Sequence, residues 1–256
     1  DANVSKKLTF GTSMMYSHTD NQRTLNDTKS YANEPSMVVA IFYARPNVPA
    51  YDANGNIVRT GAGYPGAMAE DTPLWMAKAY KRDSRTIRMV GSMFANYEII
   101  DGLNFRTRVG IDFSQFANNT YYPIGSRIAG STGGQATRTN QQLVNFLNEN
   151  TLEYKRTFNG IHQLTALVGY TSQTEKNETT TASAFGFPSD FYGYRNLGIA
   201  SNPQPPSSYE SKWVLLSYLG RINYILNDKY LFTVTGRYDG SSKFGKNNKY
   251  GFFPSG

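Results

Sequence analysis

The chemistry open to this chain is narrow. It carries two histidines, His18 and His162, and no cysteine, so thiolate metal sites, cysteine nucleophiles and disulfide frameworks are excluded together. Serine and threonine hydroxyls are plentiful, but no nucleophile-elbow pattern or positioned base accompanies them. Asp52-Ala53-Asn54-Gly55-Asn56 opens like a calcium loop, yet the residues that follow lack the distal glutamate, and a turn is the better reading. No catalytic residue, metal ligand or cofactor is assigned. What remains is recognition. Arg106, Arg108, Arg221 and Arg237 could steer an anionic substrate or pair with carboxylates such as Asp112. Tyr43, Tyr51, Tyr64, Trp75, Tyr121 and Tyr122 fall in connecting segments. Their amphipathic rings suit stacking on sugar or packing on peptide, with packing beneath the loops as the alternative.

The elements that must position these residues are strands. Leu103, Phe105, Thr107, Val109, Ile111 and Phe113 alternate strictly with Asn104, Arg106, Arg108, Gly110, Asp112 and Ser114. One face is apolar and the other charged or small. A run of about a dozen residues exceeds the usual globular strand of ~5–6 and suits a tilted membrane strand of roughly 9–11. Arg85 to Ile99 reads as its partner across Asp101-Gly102. Leu143–Phe158 and Ile161–Thr174 flank Asn159-Gly160, whose tolerance of positive φ favours a type I′ turn. Lys212–Leu226 and Lys229–Asp239 flank Asn227-Asp228.

Short and long links alternate. Gln115 to Gln142 is rich in Gly, Thr and Asn, and Glu175 to Ser211 contains Asn202-Pro203-Gln204-Pro205-Pro206; both read as long connections. Outer-membrane barrels pair short periplasmic turns with long extracellular loops, so each strand descends into a tight turn and rises from it. If Lys6–His18 rises, Arg85–Ile99 descends from the same side and residues 19–84 form a large extracellular loop region. In that region the apolar run Met37–Ala44 is expected to be a helix or cover, with two extra strands as the alternative. Tyr218, Tyr224, Tyr230 and Tyr238 lie on the expected outer face as membrane-girdle aromatics. Tyr230 and Tyr238 would be roughly 27 Å apart along a strand, or about 20 Å along the membrane normal. Arg106, Arg108, Asp112, Arg221 and Arg237 then face the lumen, because a charge is not tolerated against lipid.

The bulk composition agrees. Hydrophobic residues make up 39% and mean hydropathy is −0.51, yet aromatics reach 14%, as expected where only the lipid-facing half of each strand must be apolar. Met37–Ala44 is far shorter than the ~18 residues of a spanning helix. The net charge of +7 is spread among acidic and polar residues without a dense basic run, which disfavours nucleic acid. The chain begins at Asp1 and stops after Phe253-Pro254-Ser255-Gly256, so it is expected to be an excerpt of a longer one.

The segment Ser217-Tyr-Leu-Gly-Arg-Ile-Asn-Tyr224, with Asp228-Lys-Tyr-Leu231, Arg237-Tyr-Asp-Gly-Ser-Ser-Lys-Phe-Gly245 and Asn248-Lys-Tyr-Gly-Phe-Phe-Pro-Ser255, closely resembles a barrel signature of the SusC/RagA family of TonB-dependent outer-membrane transporters. Asn148-Glu-Asn-Thr-Leu-Glu-Tyr154 with Gly160-Ile-His162 resembles a second phrase of that family, and Pro46-Asn-Val-Pro-Ala-Tyr-Asp-Ala-Asn-Gly55 an extracellular-loop phrase. The resemblance implies an all-β antiparallel transmembrane barrel of roughly 22 strands with a plugged lumen, of which about seven are placed here. Residues 1–256 would be part of the barrel domain, without the plug or the remaining strands. It further implies a SusD-like surface lipoprotein as partner and a TonB complex acting through an N-terminal region absent here. Outer-membrane lipid would surround the wall, and an oligosaccharide or peptide would be the imported substrate. His162, placed as in the family phrase, is expected to be structural, at the periplasmic rim. The rival readings are a passive outer-membrane porin and a secreted all-β carbohydrate-binding module, the latter favoured if both sheet faces are buried.

Overall fold

In the computed structural model, described for residues 1–22, 37–67, 70–245 and 247–256, the chain forms one open antiparallel sheet. Its strands are β1 (Ala2–Asn3), β2 (Leu8–Gln22), β3 (Lys81–Ile100), β4 (Leu103–Tyr122), β5 (Gln135–Phe158), β6 (His162–Phe185), β7 (Asn202–Pro203), β8 (Ser207–Leu226), β9 (Tyr230–Ser241) and β10 (Tyr250–Ser255). Long strands pair in chain order, and β7 is a short strip beside β6. Two helices, α1 (Met37–Tyr43) and α2 (Pro73–Ala79), lie between β2 and β3.

The tight turns fall where expected. Asn159 and Gly160 both have positive φ, 48° and 72°, as do Asn227 and Asp228 at 51° and 52°, which is the type I′ backbone whose twist matches the flanking strands. The Asp101-Gly102 turn differs. Only Gly102 is left-handed there, and the β3–β4 register shifts between Glu98 and Ile100, so the hairpin closes through a glycine bulge.

The strands run well past the expected limits. The supposed connection Gln115–Gln142 is mostly strand, leaving residues 123–134 as the link, and Glu175–Ser211 shrinks to residues 186–206. β5 and β6 each have 24 residues, about 80 Å of extended chain. Among the described residues, the region 19–84 holds the ends of β2 and β3, the two helices and the isolated bridges Tyr51–Ile57 and Thr60–Asp71, with no extra spanning strand. The apolar run is a helix, as expected of Met37–Ala44. Part of that loop region, residues 23–36, lies outside the described residues.

Register sorts the side chains. Met14, Gly91, Ile111, Phe146, Thr174 and Val214 are successive cross-strand partners on one face. That face is apolar and exposed toward the tight turns: Met14 is 75% exposed, and Met93, Phe146, Val168, Ile222 and Val234 are also open. Farther from the turns the same face becomes polar, with Asp20, Arg85, Ala117, Asn140, Thr180 and Ser208 as one row. An exposed apolar band bordered by polar rows marks a contact surface, since soluble monomers rarely expose so large a patch. The buried cores are two small clusters at the strand tops, one around Met37, Ala40, Met76 and Tyr80, the other around Tyr121, Ala136, Ala184 and Phe187.

Candidate functional site

The face opposite the apolar band carries the chain's densest set of paired charges. Arg106, Arg108 and Asp112 alternate with Phe105, Val109 and Ile111 along β4, so the pleat puts them together. Arg88 grips Asp112 bidentately at 3.0 and 2.7 Å. Arg108 lies 3.8 Å from Glu149, and Arg237 donates to Asp239 at 2.7 Å and Ser217 at 3.3 Å. Arg221 donates to Thr235. Arg106 stacks 4.5 Å over the Phe94 ring. Arg106, Arg108, Glu149, Gln173 and Arg237 line a hollow of about 720 Å³. Farther along, Glu175 accepts from the Trp213 indole at 2.9 Å and from Asn145 at 3.2 Å. This is a hydrogen-bonded polar wall. Its arginines mostly have partners.

The four tyrosines expected on the other face do share it. Tyr218 pairs with Tyr238 across β8 and β9, while Tyr224 faces Phe232 and Tyr230 faces Leu226. His162 sits beside them at the turn end, with Nδ1 2.6 Å from the Tyr224 hydroxyl and its ring stacked on that tyrosine. His18 is 3.3 Å from Asp20 at the opposite end. The histidines are therefore far apart in the sheet. No group of three His, Cys, Asp or Glu side chains among the described residues is arranged to hold a metal.

The loop aromatics divide. Tyr43 and Tyr51 are exposed, and Tyr43 borders a cleft of about 240 Å³ formed with Val48, Pro49 and Leu74. Trp75 and Tyr122 pack against Tyr80, and Tyr64 is half-buried. Tyr121 is 1% exposed, edge-on to Phe187, and its hydroxyl donates to Asp190 at 2.6 Å. Its ring thus serves packing. Asp52 closes its own turn, accepting backbone N–H bonds from Asn56 and Asn54. The hydrogen bonds from Asn56, with that from Asn54, hold its carboxyl below the usual carboxylate range.

Sequence reasoning missed Asp71. Its carboxylate, 3% exposed, accepts from the Tyr80 hydroxyl at 2.5 Å and from the Arg127 backbone N–H at 2.8 Å, with Arg59 at 3.8 Å. Burial, with the bond to and charge of Asp71, pushes the Tyr80 phenol far above its ordinary value. Glu70 pairs with Arg127 alongside. These bonds clamp the segment holding α1 and α2 to the top of β3 and to the 123–134 link. Replacing Asp71 by Ala removes the acceptor of the buried Tyr80 hydroxyl and of the part-buried Arg127 N–H, an expected loss of about 1–3 kcal/mol in that clamp. Limited proteolysis should then cut residues 37–67 faster, while amide exchange in β5 and β6 stays unchanged; unchanged cleavage would refute the clamp.

No family model matches the chain. TonB-dependent receptor P3 of Formosa agariphila is 32% identical over 257 residues, covering all of this chain and 25% of that receptor. TonB-dependent receptor P26 of the same organism is 30% identical over 263 residues, again covering the whole chain and 25% of the receptor. The chain thus spans about a quarter of the length of these relatives. TonB-dependent receptor SusC of Bacteroides thetaiotaomicron matches 49 residues at 53% identity, 19% of this chain and 5% of SusC. Among solved structures, the RagAB peptide transporter superposes with a TM-score of 0.80 at 22% identity, over 99% of this chain and 28% of its own. The RagAB peptide importer in its closed-closed state gives 0.81 at the same identity and coverage. The open sheet thus has the fold of a stretch of the RagAB barrel wall, and along its whole length the chain is similar to TonB-dependent receptors, with SusC matching over 49 residues.

Proposed function

We propose that this chain is part of the wall of an outer-membrane importer that takes up a nutrient, an oligosaccharide or a peptide, by TonB-dependent transport. The observation that carries this reading is the exposed apolar band on one face of strands whose other face is charged, in a chain related end to end to TonB-dependent receptors. The band faces lipid and the arginine-bearing wall faces the lumen, as bilayer energetics demand. Only about 9–11 residues of each strand are needed to cross the hydrocarbon. The remaining half of β5 and β6 stands above it as an extracellular palisade, carrying the clamped helical segment.

The barrel acts without catalysis. Binding at the extracellular face captures the nutrient, and a plug moved by the TonB complex opens the way. A SusD-like surface lipoprotein meets this palisade, with Tyr43, Tyr51, Tyr64 and Trp75 nearest the captured ligand and Tyr121 and Tyr122 bracing the loops beneath. Arg106, Arg108, Asp112, Arg221 and Arg237 shape the lumen, and Tyr218, Tyr224, Tyr230 and Tyr238 sit at the lipid interfaces. In cells expressing the full-length receptor, the protein is expected in the outer-membrane fraction, copurifying with a surface lipoprotein. A soluble product without such a partner overturns the proposal and promotes a carbohydrate-binding module. Membrane residence with free, TonB-independent diffusion would instead indicate a porin.

A further inference from the structure

Beyond the apolar band, on the same face, lies a polar hollow that the import reading leaves unused. It measures about 590 Å³ and is lined by Arg85, Asn119, Arg138, Asn140, Tyr194 and Arg195, among others. β3, β4 and β5 supply its floor, and the segment 186–201 folds over it. Four hydrogen bonds hold that segment: Phe187 N–H donates to the Gly133 carbonyl at 2.7 Å, Asp190 accepts from Tyr121 and the Ile124 amide, and the Tyr194 hydroxyl donates to Asp83. Burial and the bond to Asp83 raise the Tyr194 phenol, while the charges of Arg195 and Arg138, which line the hollow with it, act in the opposite sense.

The charges there are unbalanced in a specific way. Asp20 is held by Arg85 at 2.8 Å and lies 3.3 Å from His18, and Asp83 is held by Tyr194. Arg138 donates only to the Asn119 amide oxygen at 3.2 Å, and Arg195 lies 5.7 Å over its neighbour Tyr194. Neither has a carboxylate partner among the described residues. Two guanidiniums beside the Asn119 and Asn140 amides form a donor set matched to phosphate, which arginine binds bidentately, while Asp20 and Asp83, which also line the hollow, are engaged by Arg85 and Tyr194.

Position then selects the source of the phosphate. Ile87 also lines the hollow, and two residues on, along the same face of β3, comes Met89, paired with Tyr16 on β2 and Phe113 on β4. The cation site thus borders the apolar residues of β3 at one edge, and it opens on the face opposite the arginine-bearing wall. We propose that this hollow seats the phosphate-bearing headgroup of an outer-leaflet lipid, held by Arg138 and Arg195, with its acyl chains lying down over Ile87, Met89 and Tyr16. The inference rests on reading the band as bilayer contact. It names a lipid ligand where that reading needs only bulk lipid.

The test uses the full-length receptor, wild type and R138Q/R195Q, in native mass spectrometry with added lipid A, with dephosphorylated lipid A, and with inorganic phosphate as competitor. Wild type should retain lipid A, and the double variant should retain about tenfold less, in line with the loss of charge-assisted bonds. N140D, which adds a third carboxylate to Asp20 and Asp83 in the hollow without removing an arginine, should also lose it. R156Q, near the tight turns on the same face, should retain it fully. Equal retention of the dephosphorylated lipid, or wild-type retention by both R138Q/R195Q and N140D, overturns the headgroup site and leaves the barrel reading standing. Displacement of lipid A by millimolar-scale inorganic phosphate, about the concentration range of weak anion binding, would make the hollow a free-anion site and also overturn the proposal. A wild-type receptor that does not insert into lipid vesicles overturns the barrel reading itself.

Discussion

An arginine at Val234 should destabilise the full-length receptor in lipid vesicles by about 2–4 kcal/mol, while an arginine at Thr235, one residue on, should cost roughly 0–1 kcal/mol. The two positions are adjacent and lie on opposite faces. Val234, 65% exposed, pairs with Ile222, 54% exposed, at the middle of the apolar band between Tyr230 and Tyr238. Thr235 pairs with Arg221 on the polar face and already accepts its hydrogen bond. In water Val234 is open surface, so an arginine there should matter by only a few tenths of a kcal/mol, while one at half-buried Thr235 would face Arg221 and be the costlier of the two. The asymmetry is therefore a property of the bilayer. Urea unfolding of the vesicle-embedded receptor measures it, and equal penalties at the two positions would mean that the apolar band does not face hydrocarbon.

The same physics decides which parts of the fold can be read from sequence. Where one face meets an apolar medium, side chains must alternate, and the cores of β4, β8 and β9 are legible as strands that put Arg106, Arg108, Arg221 and Arg237 on the face opposite the apolar residues. Asn159-Gly160 and Asn227-Asp228 were legible because few other dipeptides accept two positive φ values. Above the band both faces are wet and the period vanishes. Gln135–Gln142 reads Gln-Ala-Thr-Arg-Thr-Asn-Gln-Gln and looks like a loop, yet it pairs on both sides, with β4 and β6. Its strand identity comes from ladder hydrogen bonds and cross-strand pairs such as Thr139–Thr181, not from patterning. Arg138 was lost with it. α2 had a signal, Thr72-Pro73, since proline suits the first helical turn. The clamp at Asp71 and the Tyr194–Asp83 contact, spanning 111 residues of sequence, had none, because each depends on which distant strands become neighbours.

A methyl group at Gly102 should be far more damaging than one at Gly160, although both residues sit in tight turns at the same end of the sheet. Gly160 has φ 72° and open space around the position of a Cβ, so Gly160→Ala costs only the strain of a left-handed alanine, about 1 kcal/mol. Gly102 has φ 78°, and there a Cβ would stand 2.2 Å from the Lys155 carbonyl oxygen. The neighbour is backbone at the end of β5 and cannot swing aside, and the Lys155 N–H donates to the Gly102 carbonyl at 2.7 Å. Relief of the clash must break that bond or move the bulge that sets the register at Glu98 and Ile100. The expected cost is roughly 2–5 kcal/mol, strain plus overpacking. Asparagine separates the two causes, since it tolerates positive φ but keeps the Cβ: Gly160→Asn should be nearly silent and Gly102→Asn nearly as costly as Gly102→Ala. Unfolding midpoints of the four variants in vesicles test this, and similar values for Ala at 102 and 160 would show that the β5 backbone does not press on the turn. The stake is larger than one hairpin, because a one-residue slip here would turn Arg106 and Arg108 from the polar wall to the apolar face.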